Sequence, residues 1–224
     1  MKVLENDGLK YVDQGNGNVI LFFHGWGMSP FTYQAIITSL ASKFRIIAPF
    51  ITTFRKLEKE KILKILNKEP KIIVVAHSAG GVMALLFCAT FPDKIKALIL
   101  IDSLGSGRSD SIKQWSWLKE VGRYLVKPSK LTVVLFTDIL RQLINVKKLL
   151  GDSNFILSYK TDLKPNFPVL LLWGKEDSLI PIENGYNLNK LMPKAEFKSV
   201  SGKHFWFLEK PEVLSKNLEE FLNK

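Results

Sequence analysis

Ser78 lies where an apolar strand would turn sharply into a helix. Residues 72–76 form a continuously apolar run, and residues 81–90 are again apolar with helical spacing. A strained turn of this kind lifts a serine hydroxyl above a sheet, and it needs small neighbours such as Ala76 and Gly80 because the two backbones pass close together. Ala76 departs from the glycine that is commoner at its position. We predict that Ser78 is a nucleophile; the alternative is a serine that only caps a helix.

Three histidines could supply the base that a serine nucleophile needs near neutral pH. His77 adjoins Ser78, so its ring should point away from the hydroxyl. His24 lies in the loop after the third predicted strand. His204 lies in the loop between the last predicted strand and the C-terminal helix. We predict by elimination that His204 is the general base; a solvated surface histidine is the alternative.

A carboxylate must orient the base and stabilise its protonated form. Asp177 lies in the loop at the carboxyl end of the strand that precedes His204. Two other residues compete for this role: Glu176 is adjacent but would project differently, and Asp102 ends the preceding strand. We predict Asp177 and keep Asp102 as the first alternative.

The loop after the third predicted strand could complete the site. It reads His24-Gly25-Trp26-Gly27, and its glycines would let the backbone turn so that an N–H faces Ser78. The N–H of Trp26, together with that of Ala79, would form an oxyanion hole for a tetrahedral intermediate. We expect His24 to tie down this loop rather than to react.

Strands that alternate with helices account for most of the chain. The runs predicted as strands cover residues 3–5, 9–12, 19–23, 44–48, 72–76, 97–101, 169–173 and 196–200. The segments with helical spacing cover residues 31–42, 54–67, 81–90, 182–191 and 211–222. Asn6, Asp7 and Gly8 indicate a hairpin between the first two strands, and Ser29 with Pro30 should begin the first helix. The pattern predicts an α/β fold with a mostly parallel sheet and helices on both faces.

Residues 103–166 interrupt this alternation. Residues 112–126 and 131–150 are rich in apolar side chains at helical spacing. We predict a helical cap over the carboxyl edge of the sheet, with residues 1–102 and 167–224 as the core. The apolar side chains that suggest an acyl pocket in this cap are Trp115, Trp117, Leu118, Leu125, Val134, Leu135 and Phe136. Much of that set must instead pack the cap onto the body.

The bulk composition narrows the class of protein. The net charge of +11 comes mainly from lysines spread along the chain, which favours a solvated surface over a polyanion-binding site. The N-terminus lacks a run of signal-peptide type and charges interrupt every long apolar run, so we expect a cytoplasmic protein without membrane insertion. Cys88, the only cysteine, lies in an apolar stretch and should be a buried thiol.

Together these pieces resemble the α/β-hydrolase superfamily over the whole length outside the insertion. The segments that carry the resemblance are residues 24–27, 76–81, 91–102, 174–177 and 202–204. The order Ser78, Asp177, His204 is that superfamily's order of nucleophile, acid and base. The His-Gly-Trp-Gly loop is similar to that of the pimeloyl-carrier-protein methyl ester esterases. Residues 48–54 depart from the family, whose members usually have an aspartate and a glycine-rich turn after the fourth strand.

The residues and the resemblance imply a carboxylic ester hydrolase for small to medium apolar acyl esters. A lactonase of the same fold and a non-catalytic binder of a small ligand are the alternatives. We expect no metal or organic cofactor and no nucleic acid; the expected partner is a small-molecule ester. The oligomeric state is left open.

Overall fold

An eight-stranded sheet forms the centre of the molecule. The computed structural model describes residues 1–66, 68–108, 122, 132–134, 137, 138, 140 and 146–224. The strands are β1 (Val3–Asn6), β2 (Leu9–Gln14), β3 (Val19–Phe23), β4 (Arg45–Pro49), β5 (Ile72–His77), β6 (Ile95–Ile101), β7 (Val169–Gly174) and β8 (Glu196–Val200). Their spatial order is β1-β2-β4-β3-β5-β6-β7-β8. Among the pairings of these eight strands, β1–β2 and β2–β4 are antiparallel and the other five are parallel, so the predicted mostly parallel sheet is confirmed.

Both faces of this sheet are covered. Strands β3, β5 and β7 are buried along their whole length, as is typical of parallel strands between two layers of helices. Alternate residues enter opposite layers: Leu21 and Phe23 pack on one face, whereas Ile20 and Phe22 pack on the other. The continuous apolar runs in the sequence follow from this two-sided burial.

The described residues include seven α-helices with defined bounds. They are α1 (Gln34–Leu40), α2 (Lys59–Ile65), α3 (Gly80–Thr90), α4 (Val146–Ser158), α5 (Ile182–Leu191), α6 (Trp206–Glu209) and α7 (Pro211–Leu222). Helices α2, α3, α4 and α5 contribute buried side chains to the first face, and α1, α6 and α7 to the second. None of the helices in the described ranges is long and apolar enough to cross a bilayer. Cys88 on α3 is a buried free thiol, as predicted.

The first helix begins later than the sequence suggests. Residues 30–33 form turns, and α1 starts at Gln34. Ser29 does accept a bond from the Phe31 N–H, at 3.3 Å, but it caps a turn rather than the helix. Its hydroxyl also donates to the buried carboxylate of Asp138, at 2.7 Å. The bond from Ser29 to Asp138, 109 residues away in the chain, therefore competes with the predicted role of Ser29 as the cap of the first helix.

Part of the predicted cap can be compared with the structure. The predicted helix 112–126 lies outside the described residues except for Gly122, and so do the proposed pocket residues except for Val134. Within the predicted helix 131–150, residues 132–134, 137, 138 and 140 are helical, and α4 continues beyond it to Ser158. The domain boundaries themselves remain a prediction.

Candidate active site

The strained turn after β5 carries Ser78. Its φ angle is 55°, a left-handed value that residues with a side chain rarely adopt. The Ser78 N–H donates to Ile101 O at 3.0 Å, and the Ser78 carbonyl accepts from Gly81 N at 3.0 Å and Leu104 N at 3.1 Å. These bonds hold the turn at the carboxyl edge of the sheet. The side chain of Ser78 is only half-buried, so the turn presents it at the surface of the core.

Small residues around the turn are required by packing. A side chain at Gly80 would clash with the carbonyl oxygens of Phe23 and His24, at the end of β3. Ala76 is fully buried in β5. The sequence-based reason for small neighbours therefore agrees with the structure: α3 starts against the backbone of the adjacent strand.

The predicted acid and base lie against each other. His204 Nδ1 and Asp177 Oδ2 are 2.7 Å apart, and both side chains are almost completely buried. The other carboxylate oxygen, Asp177 Oδ1, accepts from the backbone N–H groups of Leu179 at 2.7 Å and Ile180 at 2.9 Å. With the carboxylate held in this way, His204 Nδ1 carries a proton and Nε2 is left as the basic nitrogen.

The two competing carboxylates have other partners. Glu176 is exposed and accepts from the N–H of Gly202. Asp102 is fully buried and accepts from Gly174 N at 2.7 Å and from the indole N–H of Trp206 at 2.8 Å. Burial, followed by the charge of Asp177, raises the pKa of Asp102 well above its ordinary value. Asp102 thus ties β6 to β7 and α6, and Asp177 is the carboxylate bonded to His204.

His77 connects the base loop to the turn. Its Nε2 donates to the carbonyl oxygen of His204 at 3.1 Å, and the two imidazole centroids are 4.6 Å apart. The ring is fully buried below the turn, while Ser78 is half-buried. The His77 side chain therefore bonds the backbone of the base loop and links His204 to the segment that carries Ser78.

The loop after β3 approaches the serine directly. A Cβ atom placed on Gly25 would lie 3.4 Å from Ser78 Cβ and 3.0 Å from Tyr33 Oη, so only a glycine lets the backbone come this close without displacing a neighbour. Trp26 is the next residue in the loop. Among the described residues, no hydrogen bond is made by the N–H of Ala79, at the start of α3. The structure therefore brings the loop that contains Trp26 close to the turn that leads into α3.

His24 fixes this loop to the unusual segment after β4. Its Nε2 accepts from Ile51 N at 2.9 Å, and its Nδ1 donates to Gly25 O at 2.9 Å. Burial lowers the pKa of His24 to about 4, so the ring is neutral near neutral pH. In the same segment, the hydroxyl of Thr53 donates to Asp152 of α4 at 2.8 Å. Residues 48–54 thus join the loop of Trp26 to α4, without the aspartate and glycine-rich turn usual at this position.

Sequence reasoning missed two groups of polar contacts near the site. Tyr33 Oη accepts from the N–H of Gly25 and bonds His77 Nδ1. The buried Asp138 accepts from the hydroxyls of Ser29 and Thr32 at 2.7 Å each. No local sequence motif predicts either group of contacts, because each group joins segments that are far apart in the chain. In the part of the chain that the structure describes, no cluster of three or more His, Cys, Asp or Glu side chains could hold a metal ion.

Known proteins resemble this chain in sequence and in fold. A family model for the alpha/beta hydrolase fold matches residues 53–131. The pimeloyl-[acyl-carrier protein] methyl ester esterase of Aliivibrio fischeri is 24% identical, over 96% of this chain and 98% of that protein. An uncharacterised hydrolase of Bacillus subtilis, YugF, is 25% identical, over 89% of this chain and 88% of its own length. The solved structure of Est816, described as an N-acyl homoserine lactone degrading enzyme, superposes with a TM-score of 0.74 at 17% identity, covering 98% of this chain and all of that one.

Proposed function

Because this chain has the α/β-hydrolase fold, we propose that it is a carboxylic ester hydrolase that works through an acyl-serine intermediate. Ser78 is the nucleophile, His204 the general base and Asp177 the residue that orients the base. The observation that carries the proposal is the buried Asp177–His204 pair, which leaves His204 Nε2 as the basic nitrogen. The loop of His204 is bonded through His77 to the segment of Ser78, which is held at a φ of 55°. The esterase of Aliivibrio fischeri, similar over nearly the whole chain, supports ester hydrolysis as the reaction.

The reaction has two halves. In the first, Ser78 Oγ attacks the ester carbonyl carbon, His204 Nε2 takes the hydroxyl proton, and the carbonyl oxygen becomes an oxyanion. The N–H groups of Trp26 and Ala79 bind this oxyanion. The tetrahedral intermediate then collapses, the bond to the alkoxy oxygen breaks, and His204 gives its proton to the leaving alcohol.

Water completes the second half. A water molecule attacks the acyl-enzyme carbonyl while His204 Nε2 accepts its proton. Breakdown of the second tetrahedral intermediate releases the carboxylic acid and returns the proton to Ser78. One ester and one water give one acid and one alcohol. Throughout, Asp177 stabilises the imidazolium that forms on His204.

A chain-length series of nitrophenyl esters tests the proposal. We expect hydrolysis of acetate and longer aliphatic esters, with Ser78→Ala as the matched inactive control. The apolar cap residues of the sequence favour small to medium acyl chains, so kcat/KM should pass through a maximum along the series. Hydrolysis no faster than that of the Ser78→Ala variant for every ester would refute the proposal.

Lactone hydrolysis is the alternative within the same chemistry. A lactone is a cyclic ester, so the same three residues would open it, and the fold of Est816 is shared by this chain. Assays of lactones and linear esters in parallel separate the two substrates by their kcat/KM values. A non-catalytic binder would instead bind ligands without turning over either class.

A further inference from the structure

A buried chain of hydrogen bonds joins the loop after β3 to the loop of His204. The N–H of Gly25 donates to Tyr33 Oη at 2.9 Å. Tyr33 Oη lies 2.8 Å from His77 Nδ1, and His77 Nε2 lies 3.1 Å from the carbonyl oxygen of His204. The chain starts one residue before Trp26 and ends on the backbone of the base. Its two side chains, Tyr33 and His77, are both fully buried.

The direction of each bond follows from the atoms present. A carbonyl oxygen can only accept, so His77 Nε2 carries a proton and donates to His204. The neutral ring then has a lone pair on Nδ1, which accepts the hydroxyl proton of Tyr33. The thioether of Met28, 3.0 Å from the same hydroxyl, is a much weaker acceptor than an imidazole nitrogen. The tyrosine oxygen in turn accepts from Gly25, so every donor in the chain has an acceptor.

The surroundings hold His77 in this state. Aromatic rings of Tyr33, Phe205 and Phe207 lie with centroids 5.8, 5.6 and 4.7 Å from its own, and the ring of His204 lies at 4.6 Å. Burial, and then the charge that His204 can carry, lowers the pKa of His77 well below its ordinary value. A neutral ring with a fixed tautomer is therefore available to bridge the two loops.

We propose that Tyr33 and His77 are positioning residues for the hydrolysis, which set the loop of Trp26 and the loop of His204 at a fixed separation across Ser78. The inference rests on the proposed function. Neither side chain touches the reacting atoms; each acts through the backbone it binds. Positioning of this kind matters because a displacement of about 1 Å can cost on the order of 100-fold in rate.

Removal of the tyrosine oxygen breaks this chain of hydrogen bonds with little change in packing, and so tests its role. We expect Tyr33→Phe to lower kcat for nitrophenyl esters by about 10- to 100-fold, with KM changed by less than about threefold. His77→Leu should do the same, and His77→Gln should recover much of the loss because its amide nitrogen can still donate to His204 O. The double variant Tyr33→Phe/His77→Leu should be little slower than the worse single variant, because both break one chain.

Matched variants separate positioning from loss of stability. Ile37→Val and Ile37→Ala weaken α1 one turn from Tyr33, at a buried apolar position. They should lower the melting temperature as Tyr33→Phe does but keep kcat within about twofold of the original. The inference is overturned if Tyr33→Phe lowers kcat by less than about tenfold. It is also overturned if an Ile37 variant with the same melting temperature as Tyr33→Phe shows an equal loss of kcat.

Heteronuclear NMR of protein with isotope-labelled histidines tests this chain of hydrogen bonds without any substrate turnover. His77 should be neutral and protonated on Nε2 at neutral pH. Its Nδ1 resonance should shift in Tyr33→Phe. A ring protonated on Nδ1 at neutral pH would overturn the chain of hydrogen bonds even if the esterase is active. Conversely, wild-type protein that fails to hydrolyse any ester would refute the proposed function, while the NMR result still decides the hydrogen bonds.

Discussion

The substitution Asp177→Asn separates orientation of the base from the shape of the site. Asp177 Oδ1 accepts two backbone N–H bonds, from Leu179 and Ile180, whereas Oδ2 faces His204 Nδ1. In the variant, the two N–H donors keep the amide oxygen on their side, so the amide nitrogen must face the histidine. An N–H facing Nδ1 makes that atom an acceptor, which moves the ring proton to Nε2.

A ring protonated on Nε2 cannot accept the proton of Ser78. A wrong tautomer of this kind costs about 10,000-fold in kcat, or about 5.5 kcal/mol of transition-state stabilisation. The fold should change little, because the side chain keeps its shape and the bonds of Oδ1 remain. We therefore expect a protein with a nearly normal melting temperature and almost no turnover of nitrophenyl butyrate.

Asp102→Asn is the matched control. Asp102 is equally buried and lies near Asp177, but it binds Gly174 and Trp206 rather than His204. An amide there leaves one of two buried N–H donors without an acceptor, at a cost on the order of 1–3 kcal/mol of folding free energy. Its kcat should stay within about tenfold of the original. Asp177 does not orient the base if Asp177→Asn keeps more than about a tenth of the activity, or if Asp102→Asn loses as much activity as Asp177→Asn.

Three further changes should act on stability. Gly80→Ala should lower the free energy of unfolding by about 2–3 kcal/mol or more, measured in urea, because its methyl group would meet backbone oxygens such as that of Phe23. Acid should also lower the free energy of unfolding, because His24 binds a proton in the unfolded chain at a pKa near 6.5 but in the folded protein only at about 4. Between these two pH values His24 alone should account for a loss of up to about 3 kcal/mol. His24→Gln should make the free energy of unfolding depend less steeply on pH. Thr32→Val should cost about 1–3 kcal/mol in a thermal melt, because the buried carboxylate of Asp138 loses a hydroxyl donor.

Controls for these changes lie within the chain. Gly122 is helical, and no atom of the described residues lies within 4 Å of the position a Cβ would take, so Gly122→Ala should not destabilise the protein. The exposed hydroxyl of Thr137 donates to carbonyls of its own helix, so Thr137→Val should cost much less than Thr32→Val. If Gly122→Ala lost as much stability as Gly80→Ala, or Thr137→Val as much as Thr32→Val, the contacts described for Gly80 and Thr32 would not explain the losses. A free energy of unfolding that does not fall with acid would contradict the buried neutral state of His24.

Local pattern predicted most of the core. Residues 19–23 and 196–200 are strands with the expected bounds, and helices α5 and α7 begin and end as predicted. Each of these elements has a signal within itself: an apolar run, helical spacing or a proline at an end. The short helix α6 was not predicted, since four residues carry too little periodicity to be recognised.

The contacts around the site are harder to predict. The sequence singled out Ser78, His204 and Asp177 because a turn, a scarcity of histidines and a loop position are all visible locally. It could not place Tyr33, which meets a histidine 44 residues away, or show that the same histidine bonds a carbonyl 127 residues further on. Such pairs depend on how strands are ordered in the sheet. The same reason explains why the competition between Asp102 and Asp177 needed the structure.

The central claim is that Ser78 is an activated nucleophile. Treatment with a fluorophosphonate, followed by peptide mass spectrometry, tests it without knowledge of the natural ester. We predict one adduct, on the peptide that contains Ser78; the adduct should be absent in Ser78→Ala and form far more slowly in His204→Ala. No adduct in the wild-type protein, or labelling that persists in Ser78→Ala, would contradict the account.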